Sequence, residues 1–223
     1  MNYNSYCLFD FETSGVDTST AQIVQIACIT IDGRRLEIVE GSEFDVLVRP
    51  LYGDECVKAG LQELTEGAIK IHKKDHALLA EKGISLENAL TNFKAYVDDK
   101  NYNKTKWKSP IAAGYNINGY DIPILKRDLS RFNLDYPFHP VYTMDILQVM
   151  HSFFENDKNV TSLSADSLIR KYMGYKDKGQ SHDALSDVIM TAELMIKSMR
   201  LIRKATSSIK FKDCFAPTIP TAL

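Results

Sequence analysis

The chain of 223 residues reads as a single α/β domain: a central mixed sheet that opens with antiparallel strands and is flanked by helices. Three observations predict this class. Four strand-like runs, 5–11, 22–31, 34–39 and 43–48, follow one another with only turns between them. Beyond Pro50 the apolar spacing becomes helical and alternates with two short apolar runs, 111–115 and 142–147. The glycine-rich phosphate loops of nucleotide-cofactor folds, Gly-x-Gly-x-x-Gly after the first strand or Gly-Lys-Ser/Thr anywhere, do not occur.

The first strand carries the apolar run Tyr6-Cys7-Leu8-Phe9 and ends at Asp10-Phe11-Glu12-Thr13-Ser14-Gly15. Residues two apart on a strand point to one side, so Asp10 and Glu12 project together. Such carboxylates repel unless a positive charge lies between them, and Mg²⁺ or Mn²⁺ takes oxygen ligands of this kind. Two solvated acids at a surface strand end are the plainer reading. The β-branched second strand leads to Asp32-Gly33, a hairpin signal. The first strands should therefore form an antiparallel meander.

Residues 57–82 are expected to be helical or irregular, packing through Ala68, Ile71, Ala77, Leu78 and Leu79. Ser85 caps a helix with the apolar face Leu86, Leu90, Phe93 and Val97. From 94 to 108, Lys94, Lys100, Lys104, Lys106 and Lys108 interleave with Tyr96, Tyr102 and Trp107. Bases stack on aromatic rings while lysines meet phosphate, so this pattern suits single-stranded nucleic acid. A solvated loop whose tryptophan covers the sheet edge is the alternative. A buried strand at 111–115 precedes a helix with Pro123 in its first turn. Asp121 stands at that helix start, either as a cap or as a third acid aimed at the sheet.

The run 142–147 is a late strand or a short strand feeding a helix, with Asp145 a spare acid near the same edge. A helix follows at about 162–171, and a long one opens at Ser181-His182-Asp183-Ala184-Leu185-Ser186-Asp187 and reaches about Arg203. Its apolar positions are Ala184, Leu185, Val188, Ile189, Ala192, Leu194, Met195, Met199 and Leu201. The main body is placed at 1–203, and 204–223 is an irregular extension packed on or near it. Between Lys197 and Lys212 there are six basic residues and no acid, a phosphate-facing patch or a helix end balancing its dipole.

Composition narrows the function classes. Net charge is −2, whereas domains held to nucleic acid by bulk attraction are usually more basic. Polyanion contact is expected to be local or bridged by metal. Cys7, Cys28, Cys56 and Cys214 form no Cys-x-x-Cys pair, so neither a zinc cluster nor a disulfide framework is expected. The N-terminus lacks a basic head with a long apolar core, and no run has the length of a membrane helix. A cytoplasmic or otherwise intracellular protein with no membrane partner is expected.

Four acids have comparable settings: Asp10, Glu12, Asp121 and Asp187. A fixed carboxylate set of this kind holds two Mg²⁺ or Mn²⁺ ions about 3.5–4 Å apart in phosphodiester hydrolysis. His182 supplies the remaining need, a general base titrating near neutral pH. His72 and His76, one turn apart, could bind metal, but a surface helix explains them.

The chain resembles the DEDDh branch of the DnaQ-like 3′–5′ exonucleases, which have the ribonuclease-H-like fold. Asp10 to Gly15 resembles the first motif, Asp-x-Glu-Thr-x-Gly. Gly114-Tyr115-Asn116 through Tyr120-Asp121 resembles the second, and His182-Asp183-Ala184 through Asp187 the third, His-x-Ala-x-x-Asp. The resemblance spans about residues 5–200. It implies that Asp10, Glu12, Asp121 and Asp187 bind two divalent cations and that His182 is the base. It also implies that the backbone near Phe11, Thr13, Ser14 and Gly15 holds the terminal nucleotide and its 3′-hydroxyl, that Val16 or a nearby apolar residue wedges beside the last base, and that Asn116 and Tyr120 shape the pocket. Four residues separate Asn116 from Asp121, where the polymerase-associated proofreading type usually has one fewer. The expected activity is hydrolysis of single-stranded or frayed 3′ ends to nucleoside 5′-monophosphates, DNA before RNA, alone or with a replication or repair partner. An RNA-trimming enzyme and a catalytically idle binding module are the alternatives.

Overall fold

The protein was analysed as a computed structural model, in which residues 5–101, 104–173 and 183–210 are described. The first strand, β1 (Tyr6–Thr13), pairs antiparallel with β2 (Ile23–Asp32) and parallel with β5 (Ile111–Gly114), which pairs parallel with β6 (Thr143–Asp145). The short strands β3 (Glu37–Ile38) and β4 (Phe44–Leu47) both pair antiparallel with β2. The sheet order is β3-β2-β1-β5-β6 with β4 beside β2. This is the mixed sheet with antiparallel N-terminal strands that the sequence predicts.

The expected meander is corrected in one respect: β4 lies on β2, not on β3. The cause is the turn after β2. The Asp32 carboxylate accepts from the N–H groups of Arg34 and Arg35, both at 2.8 Å, and Leu36 closes the turn onto the Asp32 carbonyl at 2.8 Å. Four residues are consumed where a tight hairpin uses two, and little of the third run is left to pair.

Strand alternation divides the core into two layers. Cys7, Phe9 and Phe11 face one side with Ile26 and Cys28, under α4 (Leu86–Asp99) and α5 (Asp121–Arg131). Phe9 stacks on Phe138 at 5.3 Å and meets Phe93 edge-on at 5.7 Å. Tyr6 and Leu8 face the other side with Ala27, Ile29 and Ile31, under α6 (Ile146–Phe154), α7 (Ala165–Met173) and α8 (Ala184–Thr206). Asp10 and Glu12 have the parity of Tyr6 and Leu8, so β1 delivers both toward α8.

Three short helices, α1 (Gly53–Ala59), α2 (Glu66–His72) and α3 (His76–Lys82), fill the segment expected to be helical or irregular. Leu79 is buried there as expected, but Ile71 and Ala77 are exposed while His72 and Lys74 are buried. The surface placement of His72 is thereby corrected. Ser85 caps α4, accepting from Asn88 N–H at 3.3 Å. In α5 the buried Asp128 carboxylate pairs with Arg127 at 2.7 Å, and Arg127 also donates to the carbonyls of Thr18 (2.8 Å) and Ala21 (2.6 Å). This ties α5 to the loop between β1 and β2.

The long helix α8 runs from the acids to the opposite end of the sheet. Ile189 and Leu201, expected in its apolar face, are exposed, and Thr191, Ile196 and Ser198 are buried in their place. Arg200 donates to the Leu36 carbonyl at 2.9 Å, and Arg203 to those of Gly33 (2.6 Å) and Arg34 (2.8 Å). These two basic residues clamp α8 to the turn after β2, far from the acids, so their guanidinium groups are engaged by backbone carbonyls of that turn. Residues 211–223 of the C-terminal extension lie outside the described residues. Among the described residues no helix is long and apolar enough to cross a membrane.

Candidate active site

Beyond the last apolar residues of β1, the carboxylates of Asp10, Glu12 and Asp187 converge, with one oxygen from each within 4.8 Å of the others. Asp187 arrives from the first turn of α8. That helix start is held from three directions. Its cap residue, Asp183, accepts from Ser186 N–H at 3.4 Å. Gln25, opposite Glu12 in the β1–β2 register, donates to Asp183 at 3.3 Å and accepts the Ala184 N–H at 3.3 Å. The Lys74 ammonium meets the Asp183 carboxylate at 2.8 Å.

Asp121 approaches from the other flank. It is the first residue of α5, not its cap, and is buried. The β1–β5 pairing ends at Leu8↔Ala113, and beyond it Asp121 accepts the N–H of Phe11 at 3.1 Å. Asp121 is thus fixed beside the three-carboxylate cluster without joining its tightest group.

The turn before α5 needs its particular residues. A side chain on Gly114 would collide with Ile117 and come within 2.7 Å of the Phe9 carbonyl. Asn116 has a left-handed φ of 56°, a region asparagine tolerates better than most residues. Asp145 accepts the N–H groups of Asn116 (2.9 Å), Asn118 (3.1 Å) and Leu147 (3.1 Å). The spare acid of the sequence reading is therefore occupied in building this turn.

Two clefts meet at the acids. One, of about 350 Å³, is lined mostly by apolar surface of Thr13, Gly15, Val16, Gln62, Ile71 and Tyr120, together with Glu12. Val16 is 90% exposed at its rim. The other, of about 250 Å³, lies between Asp10, Tyr115, Asp166, Asp187 and Met190. The Tyr120 hydroxyl donates to the Gly15 carbonyl at 2.6 Å and sits 2.6 Å from the Thr13 hydroxyl. It braces the loop that follows β1. Ser14 is fully buried and its hydroxyl bridges the Gln62 carbonyl (3.0 Å) and the Gln22 N–H (2.9 Å), so it builds the wall. Phe11 is likewise a core residue. Asn116 is exposed in the turn and does not line the apolar cleft. His182 lies outside the described residues; its neighbour Asp183 is the cap of α8.

Crowding negative charge in a partly desolvated site makes deprotonation costly. Burial, then repulsion from Asp121, Glu12 and Asp187, raises Asp10 well above the ordinary carboxylate range. Burial lifts Glu12 to about 7, against the opposing charge of Lys74 and with repulsion from Asp187 and Asp183. Burial lifts Asp121 to about 8, with the Phe11 N–H opposing. Asp183 goes the other way: burial would raise it, but the Lys74 hydrogen bond and charge hold it below the ordinary range. A donor set made only of carboxylate oxygens, protonated when left to itself, fits a hard divalent cation such as Mg²⁺ or Mn²⁺.

Lys74 and Gln25 were not singled out from the sequence. Lys74 sits in the run Lys73-Lys74-Asp75, which reads as a solvated stretch. Gln25 is one polar residue in a β-branched strand, and a buried polar group there was the one signal available.

The RNase_T exonuclease family matches residues 7–195. The chain belongs to this exonuclease family. Comparison with curated proteins gave no match. Among solved structures, the zinc-bound complex of Escherichia coli exonuclease I with single-stranded DNA has a TM-score of 0.71 at 18% identity, over 92% of this chain and 41% of that one. Exonuclease I of Methylocaldum szegediense has a TM-score of 0.68 at 21% identity, over 95% of this chain and 43% of that one. Cell-death related nuclease 4 has a TM-score of 0.67 at 15% identity, over 90% and 65%. These likenesses establish a shared fold. The chain spans about two fifths of the length of the exonuclease I chains.

Proposed function

We propose that this chain is a 3′–5′ exonuclease that hydrolyses the terminal phosphodiester of single-stranded or frayed ends to nucleoside 5′-monophosphates, with DNA favoured over RNA. The observation that carries the reading is the convergence of Asp10, Glu12 and Asp187 at the junction of two clefts, in a chain of an exonuclease family. Asp121 completes the ligand set. Two bound Mg²⁺ or Mn²⁺ ions would offset charge on the phosphate and on the departing 3′ oxygen, and would make the attacking water more acidic.

The chain's own groups do the rest. His182 takes the proton of the attacking water, its ordinary pKa suiting uptake near neutral pH. The apolar cleft receives the terminal sugar and base, with Val16 against the base. Gly15 leaves room there: a Cβ would come within 2.5 Å of Gln62 Oε1. Tyr120 and Thr13 hold the loop that contacts the 3′ end.

A time course on 3′- and 5′-labelled DNA and RNA of one sequence, in Mg²⁺, Mn²⁺ or EDTA, tests this. Stepwise shortening from the 3′ end, lost in EDTA, is expected, with DNA the faster substrate. Asp10→Asn and Asp187→Asn should each abolish it with an unchanged circular dichroism spectrum, and His182→Ala should lower kcat far more than binding. Full activity in the two Asn variants would remove the acids from the site. No cleavage of either polymer would leave a binding module.

A further inference from the structure

The lysine-rich aromatic segment singled out in the sequence is not part of the acidic site. It leads into the start of β5, and Ile111 pairs with Tyr6 at the opposite end of β1 from Glu12. Tyr6 and Asp10 are four residues apart, about 13 Å along the strand. Trp107 lies in the 3-10 turn Lys106–Lys108 just before β5.

The structure here is built around a buried imidazole. His139 is 4% exposed. Its Nδ1 accepts the N–H groups of Val141 (3.2 Å) and Tyr142 (3.0 Å), and its own backbone N–H donates to the Pro110 carbonyl at 2.9 Å. The ring cannot turn without losing both bonds, and as an acceptor Nδ1 carries no proton. Tyr142 stacks on this ring at 4.5 Å and 17°, and Trp107 meets it edge-on at 5.8 Å and 72°. Yet Trp107 is 65%, Val141 63% and Tyr142 61% exposed. A tryptophan that served to cover the sheet edge would be buried. Instead, two large rings are held rigidly with most of their surface in water.

Within the two segments that carry these rings, the charge is of one sign. Lys104, Lys106 and Lys108 are exposed, and among the described residues none forms an ion pair, whereas Lys94 and Lys100 are paired with Asp98 and Asp99. Neither 104–111 nor 136–143 contains an acid. Rigid exposed rings interleaved with unpaired cations are what a single strand needs, since each base offers a face to stack and each nucleotide one phosphate. The same cations would repel a basic partner, and nothing on the patch offers an acceptor-rich surface for one.

We propose that Trp107 and Tyr142, braced by His139 and flanked by Lys104, Lys106 and Lys108, form a stacking platform for single-stranded nucleic acid, remote from the acids. Occupancy of the platform stands on its own observations; its use during digestion rests on the exonuclease reading. A strand engaged at both places must span the sheet, so a di- or trinucleotide held at the acids leaves the platform empty and a longer strand fills it.

Trp107 is the chain's single tryptophan, so its fluorescence reports this patch alone. The test is a titration of the full chain with an unlabelled oligonucleotide of about 16 nucleotides, in EDTA so that none is cut. Saturable quenching is expected, unchanged in Asp10→Asn. Tyr142→Ala should weaken it roughly tenfold by loss of a stacked base. The triple change of Lys104, Lys106 and Lys108 to Ala, entirely on the surface, should lower the salt slope by about 2. With Mg²⁺ restored, both variants should lose the KM advantage of the long strand while turning over a trinucleotide as the parent does. Cleavage of the long strand without quenching overturns the platform and leaves the exonuclease standing. Quenching without cleavage does the reverse. An unchanged affinity and salt slope in the lysine variant also overturns the platform.

Discussion

Replacing Glu12 by Gln should make the metal-free protein more stable, and increasingly so as pH rises. Burial and neighbouring acids lift the Glu12 carboxyl from an ordinary 4.5 to about 7 in the folded protein. Between those values the folded state keeps a proton that the unfolded chain has released. Stability falls wherever the unfolded state binds fewer protons, so it declines as pH rises from 4.5 to 7. The shift corresponds to about 3 kcal/mol, absent below pH 4.5 and complete above pH 7. Glu12→Gln has no such titration. At pH 8 in EDTA its melting temperature should exceed the parent's by roughly 6–12 °C, at about 2–4 °C per kcal/mol for a chain of this size. At pH 4.5 the two should coincide. Added Mg²⁺ should stabilise the parent more at pH 8 than at pH 5, and the variant less than the parent at either. Differential scanning calorimetry across pH 4.5–8.5 measures this. Parallel pH profiles for the two proteins, or a variant less stable at pH 8, would refute the claim that Glu12 is held in a crowded negative site.

Lys74→Met removes the cation nearest this cluster and leaves Asp183 without its 2.8 Å partner. The lysine side chain is 10% exposed but that of Asp183 is 39%, so the loss should be about 1–2 kcal/mol, below that of a fully buried pair. Because Lys74 opposes the rise of Glu12, the variant's acidic limb of activity should move to higher pH, read from the kcat/KM profile. Tyr120→Phe deletes the hydroxyl that meets Gly15 and Thr13. It should cost about 1–2 kcal/mol of stability and raise KM several-fold with a smaller change in kcat, read from steady-state kinetics. An unchanged KM would separate the β1 loop from substrate.

Some features were legible because their signals are local. Ser85 caps α4, Pro123 sits in the first turn of α5, and the period of α8 follows from its own residues. The pairing of Asp10 with Glu12 follows from strand alternation alone. Other features were illegible because their partners are distant in sequence. Asp183 meets Lys74 across 109 residues and Gln25 across 158. A buried lysine and a solvated one look alike in a charged run; burial is decided by which helix lands above it. That Arg200 and Arg203 meet carbonyls of the turn after β2 was equally hidden, because those partners lie more than 160 residues away.

The sequence by itself determined the mixed sheet with antiparallel N-terminal strands and most of its elements, because caps, turns and periodicity act within a few residues. Only the tertiary structure decided which acids converge. It set Asp10, Glu12 and Asp187 together, gave Asp121 the Phe11 N–H, and spent Asp145 on a turn. It also placed the lysines and the tryptophan of 104–108 at the other end of the sheet. The physical reason is that a carboxylate's role depends on which charges and N–H groups surround it, and those come from strands and helices far apart in the chain.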